Sequence, residues 1–394
     1  MSDTLAADRD SEASTHRRGG GRSVSDPAVL FSWGFRLALL LVVLTPPLYL
    51  DDSWLRVGTY VMIGAVGAIG LTLLTGQAGQ LSLAHPFFML VGGITYCVVG
   101  TEDKPGKFGL GLPSLVALIA AILVASLLGL AFAPVAGRVR GVYLGVATLS
   151  LVYVGLYLGQ KYTSLSGGTA SGRPAPDLNL FGLHTLKNDP DLSVLGQALE
   201  REQRVWYLFL LFLGLAYALA QGAVRSRPGR AWRAIRDNES AAAALGVHVP
   251  RVRTEVFAIS SGYAGLTGVM VVMWYRLMKP DDNEFAGSYS IGVAIAFLAM
   301  ILIGGLGSVG GAIFGAILVN GLPGALSLWI GGNELFGSGV HAVTPAIFTS
   351  FVYGTAIILV VLFEPGGLAA LGRRVKAMLC RTQLGSTLLS PKGS

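Results

Sequence analysis

Ten stretches of fifteen or more residues in this chain are almost free of charge, and that recurrence limits the fold more than any other feature. They cover 32–50, 57–75, 86–100, 112–136, 142–159, 206–224, 255–274, 290–304, 309–330 and 345–363. A helix needs about 20 mostly apolar residues to cross a bilayer. The runs are too long for strands and lack a two-residue alternation, which excludes a β-barrel reading. The runs at 86–100 and 290–304 are the shortest and suit tilted or re-entrant helices. Only 13% of the residues are charged, against about 25% in a soluble domain. The expected fold is an all-α polytopic membrane bundle of about ten transmembrane helices.

Charge sorts the connections between the runs. Even-numbered junctions hold Arg138, Arg140 and the segment 225–253, where seven arginines face only Asp237 and Glu239. Arg373, Arg374 and Lys376 follow the last run. On the other side, 161–204 carries five basic and five acidic residues. Basic excess marks the cytoplasmic face, so both termini are expected inside. The same clustering beside apolar runs explains the net charge of +7 without nucleic acid. Residues 1–29 are polar, include Gly19-Gly20-Gly21, and read as a disordered cytoplasmic tail. Arg17-Arg18 is followed by no small-residue cleavage site after the first apolar run, so no cleaved leader is expected. The domain plan is a transmembrane region over 30–372 and a basic cytoplasmic tail over 373–394. Cys97 and Cys380 have neither metal-site nor disulfide spacing, and no metal or cofactor is expected.

The cytoplasmic segment 226–246 reads as one short helix. Ser226 suits its N-cap and Pro228 its first turn, while Gly246 suits its end. Trp232, Ile235, Ala242 and Leu245 fall near one face, with Arg230, Arg233 and Asp237 on another. Such a helix either lies on lipid headgroups or docks in a groove of a cytoplasmic partner.

Residues 229–246 closely resemble the cytoplasmic EAA-type coupling loop of branched-chain amino acid ABC permeases, the LivM-like type. Four further regions match that family's pattern in order: 70–88, then 140–149 with 163–169, then 304–311, then 363–368. The resemblance runs from about residue 50 to residue 374. It implies that Glu239, Ala241, Ala242 and Gly246 form the core that docks on an ATPase, flanked by Arg230, Arg233 and Arg236. It also implies two cytoplasmic ABC ATPase subunits, a second related permease, an extracytoplasmic solute-binding protein and residence in the bacterial inner membrane. The sequence departs from the pattern at Ala84 and Pro86, and Ala243 and Ala244 stand where a larger or acidic residue is expected.

Several segments have their own physical reading. Gly76-Gln-Ala-Gly79 interrupts an apolar run with polar and flexible residues. It is either a surface turn or an irregular stretch lining a polar interior. In the second case Gly76, Gln77, Gly79, Gln80, Ser82 and His85 are candidates for the translocation pathway. His85 is either such a functional group or a histidine satisfied by a backbone carbonyl. Thr148 joins the pathway candidates; it and Thr45, Thr72, Thr75, Ser150, Ser260 and Ser261 either bond a solute or bond back to their own helices. Gly305-Leu-Gly-Ser-Val-Gly310 spells a dinucleotide fingerprint without the surrounding βαβ unit, so Gly307, Gly311 and Gly315 read instead as one packing stripe on a helix.

No Walker A motif, paired carboxylates, Ser/His/Asp arrangement or HExxH occurs. The chain is therefore expected not to be an enzyme. A secondary transporter would need acidic groups at membrane depth, which the runs scarcely offer. A urea or short-chain amide ABC permease stays open beside the branched-chain reading, because it shares the same sequence blocks.

Overall fold

The structure is a computed structural model. It describes residues 43–139, 141–180, 183–184, 193–194, 197–198, 200–280 and 289–331, with 351–352, 354–355, 358–359, 362 and 367. The two expected tails, Arg140, most of the first and last runs and the 331–344 junction beyond Gly331 lie outside the described residues. Residues 1–50 and 51–394 form two units. Among the described residues of the first, a 3-10 turn spans Pro46–Leu48. The helical bundle belongs to the second.

Helix α1 spans Asp52–Leu71 and runs on through a π turn, Thr72–Gln77. Then come α2 (His85–Gly100), α3 (Ser114–Arg138), α4 (Val142–Lys161) and α5 (Arg201–Arg225). Two short helices, α6 (Arg227–Asp237) and α7 (Glu239–Ala244), precede α8 (Val249–Tyr275). The chain continues with α9 (Ile291–Gly304) and α10 (Val309–Ala316). A second π turn, Ile317–Gly321, leads into α11 (Leu322–Gly331). Among the described residues, six helical stretches are long and apolar enough to cross a membrane, and α2 and α9 are shorter apolar helices. Eight of the ten expected runs are thus helical, and the molecule is an all-α, multi-pass membrane bundle.

The helices invert the packing of a soluble protein. On α3 the large residues Leu115, Ile119, Leu123 and Leu127 face outward, while Ala117, Ala121 and Ala125 are buried. Lipid tails are as apolar as leucine, so burying leucine gains little; close backbone approach gains dispersion and shape fit. Helix α8 is packed this way against α1, α2 and α3. A Cβ on Gly268 would overlap the Met89 backbone of α2, and one on Gly265 would press on Ala125 of α3.

The α9–α10 hairpin uses the same device. Gly304 and Gly311 meet face to face, and a Cβ on Gly315 would overlap the Met300 carbonyl. The expected stripe is corrected at its first member: Gly307 lies in the turn before α10. Its φ of +83° suits glycine, and Ser308 caps α10 by accepting from the Gly311 N–H at 3.0 Å. Gly304 takes its place in the contact.

The junctions sort to two ends of the bundle. At one end the α1–α2 connection, the α9–α10 turn and α6 meet through Gly76, Gly307 and Arg236. At the other, residues 101–107, the segment after α4 and the start of the segment after α8 come together. There Arg173–Pro174 pairs with Leu277–Met278, and Lys107 reaches the Gly172 carbonyl.

Gly315→Val should therefore cost about 1–3 kcal/mol through overpacking. Folded yield by detergent size-exclusion should fall several-fold, whereas Gly310→Val, whose Cβ would meet nothing within 4 Å, should leave it unchanged.

Candidate functional site

The segment between α5 and α8 is two helices rather than one. Asn238 breaks it with an extended backbone (φ −160°, ψ 108°), and its side chain caps α7 by accepting from the Ala241 N–H at 3.0 Å. An Asn gains more as a cap than inside a helix, which is why the break falls there. Ser226 precedes α6, but its hydroxyl donates to Ala223 O and closes α5 instead of capping α6. Pro228 does sit in the first turn. Gly246 ends α7 with φ +85°, as its position suggests.

Trp232, Ile235 and Ala242 are buried as expected, and Ile235 and Ala242 cluster with Val249. Leu245 is corrected: it is 84% exposed, because the break at Asn238 shifts the second helix out of the register that a single helix would keep. Of the expected docking core, Ala242 packs inward and Glu239 pairs with Arg253 of α8 at 2.9 Å. Ala241 and Gly246 face outward, together with Arg230 and Arg233.

Arg236 takes a different course. Its guanidinium donates to the Gly76 carbonyl at 2.8 Å and also pairs with neighbouring Asp237 at 3.0 Å. Gly79 lies under its stem: a Cβ there would come within 2.9 Å of Arg236 Cγ. Gln77 in turn donates through Nε2 to the Gly307 carbonyl. No side chain fits at Gly76, since its Cβ would sit 2.5 Å from Gly307 N. Gly76, Gln77, Arg236 and Gly307 therefore lock three junctions into one contact.

Beyond Gln77 the backbone leaves the helix until α2 begins at His85, with Pro86 in the first turn. Its polar groups find partners one by one. Gln80 N–H donates to Leu74 O, the Thr75 hydroxyl donates to Gln80 O, and the Leu83 N–H donates to Thr148 Oγ1 at 2.9 Å. Gln77, Gln80, Ser82 and His85 are buried, while Gly79 among them is exposed. Thr148 supports the stretch from α4: its hydroxyl also bonds back to its own helix at Leu144 O. Ser150 and Ser261 bond back to their helices too.

The stretch is left with unmet polar capacity. Thr72 Oγ1, Gln77 Oε1, Gln80 Nε2 and His85 Nε2 are buried with no hydrogen-bond partner among the described residues. Each such atom costs about 1–3 kcal/mol unless something meets it. The His85 ring does bond the Gly67 backbone, and it lies 5.0 Å from the Phe297 ring. So it is a half-satisfied histidine whose second nitrogen remains available.

Phe297 also borders a cleft of about 190 Å³ shared with Tyr60, Gly64, Met89, Met300 and Asn320. Asn320 was not singled out from the sequence as a functional candidate. It sits in the π turn after α10 and donates to Tyr60 O at 3.3 Å. Its signal was present: it is the one amide in the run 309–330.

These features sit in a chain with clear relatives. Residues 53–361 match the family described as "Branched-chain amino acid transport system / permease component". The chain is 28% identical over 294 residues to the high-affinity branched-chain amino acid transport system permease protein LivM of Salmonella typhimurium. That match covers 72% of this chain and 66% of the relative, just under two thirds of its length. It is 29% identical over 273 residues to LivH of Escherichia coli, covering 68% and 82%. It is 28% identical over 321 residues to BraD of Pseudomonas aeruginosa, covering 80% and 92%. No solved structure matches the chain. With the family matched over most of its length and an all-α bundle broken where polar residues gather, this chain belongs to the permease-component family of branched-chain amino acid transport systems.

Proposed function

We propose that the chain forms half of the translocation pore of an ABC importer for branched-chain amino acids. The observation that carries this reading is the Arg236–Gly76 hydrogen bond, which joins the α6–α7 hairpin directly to the broken end of α1. In this reading two separate ATPase subunits close on ATP and push the hairpin through its outward face at Arg230, Arg233, Ala241 and Gly246. Arg236 passes the displacement to Gly76, and Gln77 passes it to the α9–α10 turn. The cleft beside Phe297 and Asn320 then opens alternately to the two sides of the membrane. ATP is hydrolysed in the partners, not in this chain. A related permease completes the pore, and similarity to both LivM and LivH supports such a pairing. A solute-binding protein delivers the solute from outside.

The orientation in this proposal puts both termini and the hairpin in the cytoplasm of the inner membrane, within a bundle of about ten spans. The seven arginines of 225–253 support it. A reporter fused after Ser394 should be active only in its cytoplasmic form; extracytoplasmic activity would reverse the assignment.

Arg236→Gln removes the charge at the Gly76 carbonyl, where a charge-assisted bond contributes about 1.5–3 kcal/mol. ATP-driven uptake of labelled leucine should drop at least tenfold while membrane insertion and co-purification of an ATPase persist. Wild-type uptake in that variant contradicts the proposed route. Glu239→Lys and Gly246→Trp, which alter the hairpin's brace and outward face, should likewise abolish uptake without loss of inserted protein.

A further inference from the structure

The end of the bundle opposite the hairpin holds a cluster of cations that the proposed transport route does not use. Arg173 is 1% exposed, yet every acceptor that holds it is neutral. Its guanidinium donates to Thr101 Oγ1 and to the carbonyls of Ser164 and Leu165. Beside it, Lys104 and Lys107 face each other across a tight antiparallel bridge, and Lys107 Nζ reaches only the Gly172 carbonyl. None of these three cations takes part in an ion pair among the described residues. Burial lowers the pKa of Arg173 from the ordinary guanidinium value, as expected for a cation deprived of water.

All three cations line one pocket of about 330 Å³, with Thr101, Glu102, Pro174 and Ala175. Glu102 is on its wall without pairing to any of them. Asp103 is near enough to favour the charged form of Arg173 but makes no ion pair with it, and because Nε, Nη1 and Nη2 already donate to Thr101, Ser164 and Leu165, Arg173 supplies the pocket mainly with positive charge while the two lysines supply free donors. We propose that this pocket is a carboxylate-binding site at the extracytoplasmic mouth, with Arg173 at its base and Lys104 and Lys107 at its rim. Its sidedness rests on the orientation proposed for the importer; its chemistry does not. The carboxylate has two possible sources, an acidic side chain of a docking binding protein and the free amino acid itself.

The purified full chain tests the site without any partner. Sodium acetate should raise its thermal midpoint above that in sodium chloride of equal ionic strength, and Lys104→Gln with Lys107→Gln should remove that difference. Lys104 is exposed and Lys107 half-buried, so the paired change spares the core, and Arg173→Lys should keep part of the shift. Equal midpoints in acetate and chloride, or a full acetate effect in the double variant, would overturn the proposal. The complete transporter in nanodiscs then separates the sources. If the carboxylate is on the binding protein, the double variant raises the half-stimulating concentration of that protein for ATP hydrolysis at least tenfold. If it is on the free solute, that concentration is unchanged. Failure of the importer reading itself would appear as absence of stimulated hydrolysis in the wild type, with the acetate result intact.

Discussion

A backbone that leaves the helix among packed helices, where water is scarce, leaves peptide groups that protein has to meet. In the stretch between α1 and α2 several of these groups are met this way. Thr148 reaches across from α4 to Leu83, Thr75 returns to Gln80, and Arg236 comes in from the hairpin to Gly76. The break is thus held by three different parts of the chain. Hydrogen bonds in a low-dielectric interior are stronger than in water, and unmet groups are correspondingly costly. Moving the hairpin without moving the break would leave the Gly76 carbonyl unpaired. Mechanical linkage is the consequence of that penalty.

Glycine contacts turn the linkage into one without slack. Gly76 and Gly307 touch backbone to backbone, and Gly304, Gly311 and Gly315 hold α9 and α10 together with no intervening side chain. Flexible side chains at such contacts could absorb a displacement by changing rotamer; backbone against backbone cannot. A shift at Gly307 therefore reaches α9 and α10, and with them Phe297, Met300 and Asn320 around the cleft. The two π turns lie on this route, one at each end of it, where a helix already carries an irregular hydrogen-bond ladder.

The helices were legible because apolar length is a signal that does not depend on neighbours. Among the described residues eight of the ten runs are helices, with ends displaced by a few residues. The grouping of Gly76, Arg236 and Gly307 was legible only as three separate motifs. Nothing in their spacing says that residues 76 and 307 touch, since that contact comes from folding two hairpins to the same end. The split at Asn238 illustrates a different failure. Alanine-rich sequence on both sides favours helix, and the cap that interrupts it gains only about 1 kcal/mol, too small a term to outweigh propensity on inspection. Leu245 was misplaced for that reason alone. The cations at 104, 107 and 173 escaped notice because they lie in loops of ordinary composition. Their meaning depends on a strand pairing between 173–174 and 277–278 that joins segments a hundred residues apart.

In the proposed importer, Arg236 is also the point at which work done by a docked ATPase would enter the bundle. It is 37% exposed and divides its guanidinium between Asp237, itself open to water, and the Gly76 carbonyl. Covering the hairpin with a protein surface removes water from the first contact more than from the second. A carboxylate that loses its hydration either pairs more tightly with Arg236 or turns to a cation on the incoming surface. The first outcome draws the guanidinium away from Gly76; the second releases it to bond the carbonyl fully. Either way, docking in the proposed importer would change the strength of the hydrogen bond that joins α6 to the broken end of α1. The sign of that change is set by the charge the partner presents to Asp237.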